Sequence, residues 1–173
     1  MDYQNNRSEF IRLIQDNKAI VFKICNSYCR NKEDREDLAQ EIIFQLWRTG
    51  HSFREDQKFT TWMYRVALNV AISFYRKSKN ANILISVKEI FMDPEDKKSE
   101  NDDDEIEYEK KRRSLQQFIF ELNELDRALI ILFLEAKSYR EISNIIGITE
   151  TNVSTRIKRI KDKLRLKMLN KND

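Results

Sequence analysis

The sequence predicts an all-α chain of two small helical domains, an N-terminal helical bundle and a C-terminal helix-turn-helix bundle, joined by an acidic flexible linker. Three observations carry this expectation. Apolar residues recur at steps of three and four along most of the chain, the period of a helix with one buried face. Two glycines and one proline among 173 residues are too few for the turns of a sandwich or barrel. Charge falls in three blocks: 15 Lys/Arg against 11 Asp/Glu over residues 1–92, 2 against 10 over 93–109, and 15 against 8 over 110–173. Two basic lobes therefore flank an acidic run that holds Pro94 and has little apolar surface to bury. The predicted division is 1–80, a linker over 81–111, and 112–173. The linker serves either as a solvated spacer or as a nucleic-acid mimic that masks the basic lobes.

In the first lobe, Phe10, Leu13, Ile14, Val21, Ile24, Cys25 and Tyr28 form the first helical stripe. A polar break at Arg30-Asn31-Lys32 precedes a second helix over Glu33–Trp47, with Leu38, Ile42 and Leu46 inward. Asp37, Gln40, Glu41 and Phe44 share another face of it, and Asp34 extends that face by one turn. Such a face is either a solvated exterior or a seat for a basic helical partner. A loop over Arg48–Lys58 follows, then a third helix from Phe59 to Lys79 with Met63, Val66, Val70 and Phe74 inward. Arg65, Asn69 and Arg76 line up on it, Lys77 and Lys79 add charge at its end, and Phe53, Phe59, Trp62 and Tyr64 cluster at its start. Cations beside aromatics suit single-stranded DNA, because cations track phosphates while rings stack on unpaired bases. The same rings also suit a core.

In the second lobe, Leu115, Phe118, Ile119, Leu122 and Leu125 mark one amphipathic helix, and Arg127–Glu135 marks a buried one. Ser138 and Glu141 have capping-box spacing, and Gly147 stands where a helix ends in a left-handed residue. Thr149 caps the last helix, whose Val153, Ile157, Ile160 and Leu164 face the core. Asn152, Thr155, Arg156, Arg159 and Lys163 lie on a separate polar face. Helix, glycine turn and a basic outer face make a helix-turn-helix, whose second helix enters the major groove of duplex DNA. There Arg forks to guanine and Asn to adenine, while Lys meets phosphate.

Several function classes are disfavoured. The longest apolar run, Ala128–Leu134, is too short to cross a bilayer, and the N-terminus lacks the apolar core of a signal peptide, so a cytoplasmic address is expected. Cys25, Cys29 and the single His51 do not make a four-ligand zinc set, so the thiols are expected to be reduced and half-buried. No nucleophile motif or phosphate-binding glycine loop stands out. The expectation is a non-enzyme without cofactor or metal.

Three stretches resemble the extracytoplasmic-function (ECF) group of bacterial RNA polymerase sigma factors. Asp34-Arg35-Glu36-Asp37-Leu38-Ala39-Gln40-Glu41-Ile42-Ile43-Phe44 is similar to that family's core-polymerase-binding helix. Phe59-Thr60-Thr61-Trp62-Met63-Tyr64-Arg65-Val66-Ala67-Leu68-Asn69 is similar to its −10 recognition and melting segment. Ser138-Tyr139-Arg140-Glu141-Ile142, with Gly147 through Arg156, is similar to its −35 helix-turn-helix. Asn152, Ser154 and Ser143 depart from the residues usual there (Thr, Lys and Ala).

The resemblance implies a factor that binds core RNA polymerase and directs promoter-specific initiation. Asp34, Asp37, Gln40, Glu41 and Phe44 would dock on the β′ clamp coiled coil, with the β flap as a further polymerase contact. Phe53, Lys58, Phe59, Thr60, Thr61, Trp62, Tyr64, Arg65, Asn69, Arg76, Lys77 and Lys79 would hold the single-stranded −10 element. Arg140, Thr149, Asn152, Thr155, Arg156, Arg159 and Lys163 would meet the −35 duplex. The linker, with its apolar patch Ile83–Val87, would thread toward the active-centre cleft. An anti-sigma factor is the implied restraining partner, and no small-molecule substrate or membrane insertion is implied. Two other classes fit part of the pattern. One is a homodimeric helix-turn-helix regulator of duplex operators, and the other is a helical interaction protein.

Overall fold

The computed structural model describes residues 3–54, 56–81 and 103–169, with backbone alone at 3–7, 79–81 and 103–106. The described residues form eight α-helices and one 3₁₀ turn, without a strand. Helices α1 (Tyr3–Asp16), α2 (Lys18–Tyr28), α3 (Lys32–Thr49) and α4 (Phe59–Ala81) make the first lobe. Helices α5 (Asp103–Glu121), α6 (Glu124–Leu134), α7 (Tyr139–Ile146) and α8 (Glu150–Leu169) make the second.

Local chemistry explains the boundaries. The first apolar stripe is carried by two helices, because the chain breaks at Asn17, whose side-chain amide donates to the Leu13 carbonyl at 2.9 Å. Asn31 caps α3 by accepting from the Asp34 amide at 2.7 Å. Asn123 caps α6 in the same way through the Asp126 amide, so that helix begins at Glu124, three residues before the Arg127 expected from the apolar run. Ser138 and Glu141 close a full capping box on α7, and Gly147 ends that helix at φ 81°. Thr149 accepts from the Asn152 amide at 3.2 Å and caps α8. Gly50, in the 3₁₀ turn Gly50–Ser52, is needed for space: a Cβ there would lie 2.8 Å from the Phe10 ring.

Residues 103–111, expected in the flexible linker, belong to helix α5. Pairs spaced one turn apart, Glu107–Lys111 and Glu109–Arg112, support that stretch. The apolar patch Ile83–Val87 lies outside the described residues, as does the acidic run through Asp102.

Leu38, Ile42 and Leu46 of α3 and Val153, Ile157 and Ile160 of α8 are buried as their spacing predicts. Helix α4 behaves differently. Met63 is buried, but Val66, Val70 and Phe74 are only half-buried, while Trp62, Tyr64, Ala67, Leu68 and Ala71 are buried as well. The reason is that α4 lies between α2 and α3 on one side and α6 and α7 on the other. The two lobes pack together, and Tyr28 donates across the boundary to the Glu124 carbonyl at 2.6 Å. Both cysteines are buried rather than half-buried, and both are free thiols.

Candidate nucleic-acid and polymerase interface

Three surfaces gather the residues singled out by spacing. The first is the outer face of α3. Its inward stripe fixes which residues point away, and Asp37, Gln40, Glu41 and Phe44 are all exposed. Glu41 accepts from the Gln45 amide at 2.8 Å. Asp34 stands apart from this group, because its carboxylate accepts from the capping Asn31 side chain at 2.8 Å. Ile43 and Trp47, which sequence reasoning left aside, are exposed beside Phe44 and make the face apolar as well as acidic. Their signal was legible: large apolar residues off the core stripe of an otherwise well-patterned helix.

The second surface is a cleft of about 580 Å³ where the α3–α4 loop meets α4, lined by Ser52, Arg54, Gln57, Trp62, Arg65 and Asn69 among others. Arg54 and Gln57 enter the site from the loop, where no helical period announces them. Phe53 and Phe59 meet edge to face at 5.3 Å between centroids, and both lie within 6 Å of Trp62. Trp62 is 3% exposed and donates weakly to the Ser52 hydroxyl at 3.4 Å. Thr60 and Thr61 are half-buried in the first turn of α4, and Lys58 is exposed.

Farther along α4, several predicted DNA contacts already have protein partners. Tyr64, 3% exposed, donates to Glu135 at 3.3 Å, and burial with that carboxylate pushes its hydroxyl pKa up. Arg65 donates to the Asn144 carbonyl at 2.7 Å, and Arg76 to Glu124 at 2.8 Å. Lys58, just before α4, lies 3.8 Å from Glu141. The Ser138 amide and hydroxyl both donate to Glu141 and hold its carboxyl below the usual range. Asn69 and Lys77 are exposed. The side chain of Lys79 lies outside the described residues.

The third surface is the outer face of α8. Asn152, Thr155, Arg159 and Lys163 are exposed in one row, and Arg140 is exposed on α7. Thr149 is spent on the cap. Arg156 is drawn off the row, because its guanidinium pairs with Asp126 of α6 at 2.8 Å and it is half-buried. Lys158, exposed next to this row, adds a cation that the spacing argument left out.

Among the described residues no helix is long and apolar enough to cross a membrane, and no group of three or more His, Cys, Asp or Glu side chains is placed to hold a metal ion.

Comparison with known proteins bears on the same two lobes. The description "Sigma-70 region 2" matches residues 13–81 and "Sigma-70, region 4" matches 112–164, together well over half of the chain. The ECF RNA polymerase sigma factor SigW of Bacillus subtilis is 26% identical over 94% of this chain and 90% of its own length. The sigma factor SigV of the same organism is 28% identical over 95% and 94%. Among solved structures, CnrH in complex with the cytosolic domain of CnrY superposes with a TM-score of 0.67 at 19% identity, covering 98% of this chain and 93% of that one. The sigma factor RpoE of Bartonella quintana, in complex with the anti-sigma factor NepR, gives 0.61 at 16% identity over 94% and 95%.

Proposed function

The chain belongs to the extracytoplasmic-function group of RNA polymerase sigma factors, and from that membership we propose how its own surfaces divide the work of promoter-specific initiation. Core RNA polymerase and promoter DNA are its partners. An anti-sigma factor is a further one, as in the solved complex of its structural neighbour RpoE with NepR.

The outer face of α3 docks on polymerase. Asp37, Gln40 and Glu41 meet a basic helical surface, while Phe44, with Ile43 and Trp47 beside it, supplies the apolar area that gives such a contact its strength. The cleft at the start of α4 receives an unpaired base of the −10 element. Extruding a base costs a few kcal/mol, and stacking and enclosure return roughly 1–3 kcal/mol per base. Arg54, Arg65 and Asn69 line that cleft with donors for phosphate and base edge. The exposed row on α8 lies in the major groove of the −35 duplex. Asn152 and Arg159 are suited to base edges, Arg140 and Lys163 to phosphates. Residues 1–80 and 112–173 are the two promoter-reading units, joined by the acidic connector. The chain acts in the cytoplasm, where polymerase and DNA are found, and performs no covalent chemistry of its own.

The observation that carries this reading is the placing of a base-sized cleft and an exposed basic helix on opposite lobes of one chain, beside an acidic-aromatic face. Each contact alone is weak, and tethering both lobes to polymerase makes them act as one. Run-off transcription with core polymerase on host genomic fragments tests it. Start sites that appear only with the chain added, and that share two upstream elements, are expected. Asn69→Ala should lower their use by about tenfold, a loss of ~1.4 kcal/mol. Absence of such start sites, together with operator binding by the chain alone, overturns this assignment in favour of a duplex-binding regulator.

A further inference from the structure

We propose that Asp126 of α6 is a positioning residue that sets the −35 specificity of α8, by holding the Arg156 guanidinium away from the bases. The proposal rests on the promoter reading of α8 and adds which of its polar side chains read sequence.

Arg156 lies at a border. It is one turn from Asn152 and Arg159 of the exposed row, and one turn from Val153 and Ile160 of the buried stripe. A long side chain at such a position turns to either side, so its neighbours decide. Here Asp126 decides, with Oδ1 accepting from Arg156 Nη1 at 2.8 Å. The other oxygen, Oδ2, accepts from the Asn123 side-chain amide at 2.8 Å, and the Asp126 backbone amide donates back to Asn123 Oδ1 at 2.9 Å. Both carboxylate oxygens are thus occupied, in the first turn of α6, where the helix dipole favours negative charge. The helix itself is pinned. The next residue, Arg127, is fully buried, with its guanidinium 4.6 Å from the Tyr75 ring and 5.2 Å from the Tyr28 ring.

At 34% and 13% side-chain exposure, the Arg156–Asp126 pair is more sheltered than Lys23–Glu135 or Arg76–Glu124, so water and salt weaken it less. A guanidinium reads guanine by presenting two N–H groups of one edge to O6 and N7. With Nη1 drawn onto α6, Arg156 does not turn that edge to the groove. Thr155 is withdrawn too, because its hydroxyl donates to the Thr151 carbonyl at 2.9 Å. The side chains of Asn152 and Arg159 are exposed and unbonded among the described residues, and they carry the base readout. Without the carboxylate, Arg156 swings onto the row beside them and adds a demand for guanine at one −35 position.

The test uses the full chain with core RNA polymerase on a promoter library randomised through the −35 element, with the transcripts sequenced. Asp126→Asn keeps the shape of the side chain but leaves a single acceptor oxygen, which Asn123 occupies. It should gain a roughly tenfold preference for guanine at a position where wild type has none, and D126N/R156Q should lose that gain. Arg156→Gln alone should change yields on all promoters alike, with the preferred base kept at every position. Should Asp126→Asn fail to fold in a circular-dichroism melt, Asp126→Ser, smaller and still able to accept from Asn123, is read in the same way. An unchanged preference in the folded Asp126 variant makes the pair merely structural and overturns the proposal. So does a gain that survives in D126N/R156Q, or a base preference lost with Arg156→Gln alone, which makes Arg156 a base reader already. Start sites absent from wild type remove the promoter reading and this proposal with it. Start sites present, with no shift in the Asp126 variant, remove this proposal alone.

Discussion

Cys25 and Cys29 lie one turn apart at the end of α2, both buried in the first-lobe core. Burial pushes the Cys25 thiol up to about 11 and the Cys29 thiol up to about 12. A thiol raised in this way is inert, because the thiolate is the reactive species. At pH 8 iodoacetamide should label Cys25 about a hundredfold more slowly in the folded than in the urea-unfolded chain, as two pK units require. The linkage has a defined sign. The folded state disfavours the anion, so the contribution of these thiols is whole below the unfolded value of 9.0 and is lost as pH rises through 11 and 12. Thermal stability should fall above pH 9 and fall less steeply in C25A/C29A. Buried Tyr28 and Tyr64 shift in the same direction and keep part of the slope. The thiols' spacing was readable from the sequence, but the depth of their burial depended on packing by elements distant in the chain.

At the scale of the element, the junction between α6 and α7 combines a favourable feature with an unfavourable one. The Ser138–Glu141 box starts α7, and Gly147 ends it in the left-handed region without strain. Two residues before the box, Ala136 also adopts φ 55°, a conformation in which its Cβ crowds the following carbonyl. The turn is held by the Lys137 amide on the Leu132 carbonyl at 3.1 Å, a helix-ending bond that requires that backbone. Ala136→Gly should stabilise the chain by about 0.5–1 kcal/mol, raising the melting temperature by roughly 2 °C in a calorimetric scan. A drop would mean that the added freedom of the unfolded chain outweighs the relief. The box and Gly147 were legible because caps are local chemistry. Ala136 was not, since nothing in an alanine announces a left-handed residue.

At the scale of the molecule, Arg127 joins the corner of α5 and α6 to the first lobe. It is fully buried, satisfies three carbonyls and lies over rings from both lobes, while its Nη1 has no hydrogen-bond partner among the described residues. Arg127→Met should cost about 3 kcal/mol in urea denaturation, because it strands buried carbonyls and removes the guanidinium from the aromatic pair. Arg127→Lys should not rescue it, as an ammonium lacks the planar fork. Equal stability of wild type and Arg127→Met would show that the corner repacks without the pin.

The sequence by itself determined the helical class, the caps at Ser138–Glu141, Gly147 and Thr149, the split into two basic lobes and the buried faces of α3 and α8. All of these follow from the 3.6-residue period, from side chains that bond within four residues, and from charge counted along the chain. It also determined the family, because three motifs occur in order at fixed spacing. Only the tertiary structure decided what each face meets. It buried Tyr64 and most of Trp62, paired Arg65 and Arg76 with the second lobe, drew Arg156 onto Asp126, and set α4 between two layers. The partners of Tyr64, Arg65, Arg76 and Arg156 lie 30 to 79 residues away. An ion pair or ring contact over that distance is set by how lobes dock, and docking depends on the shape and charge of whole surfaces, which no local period encodes.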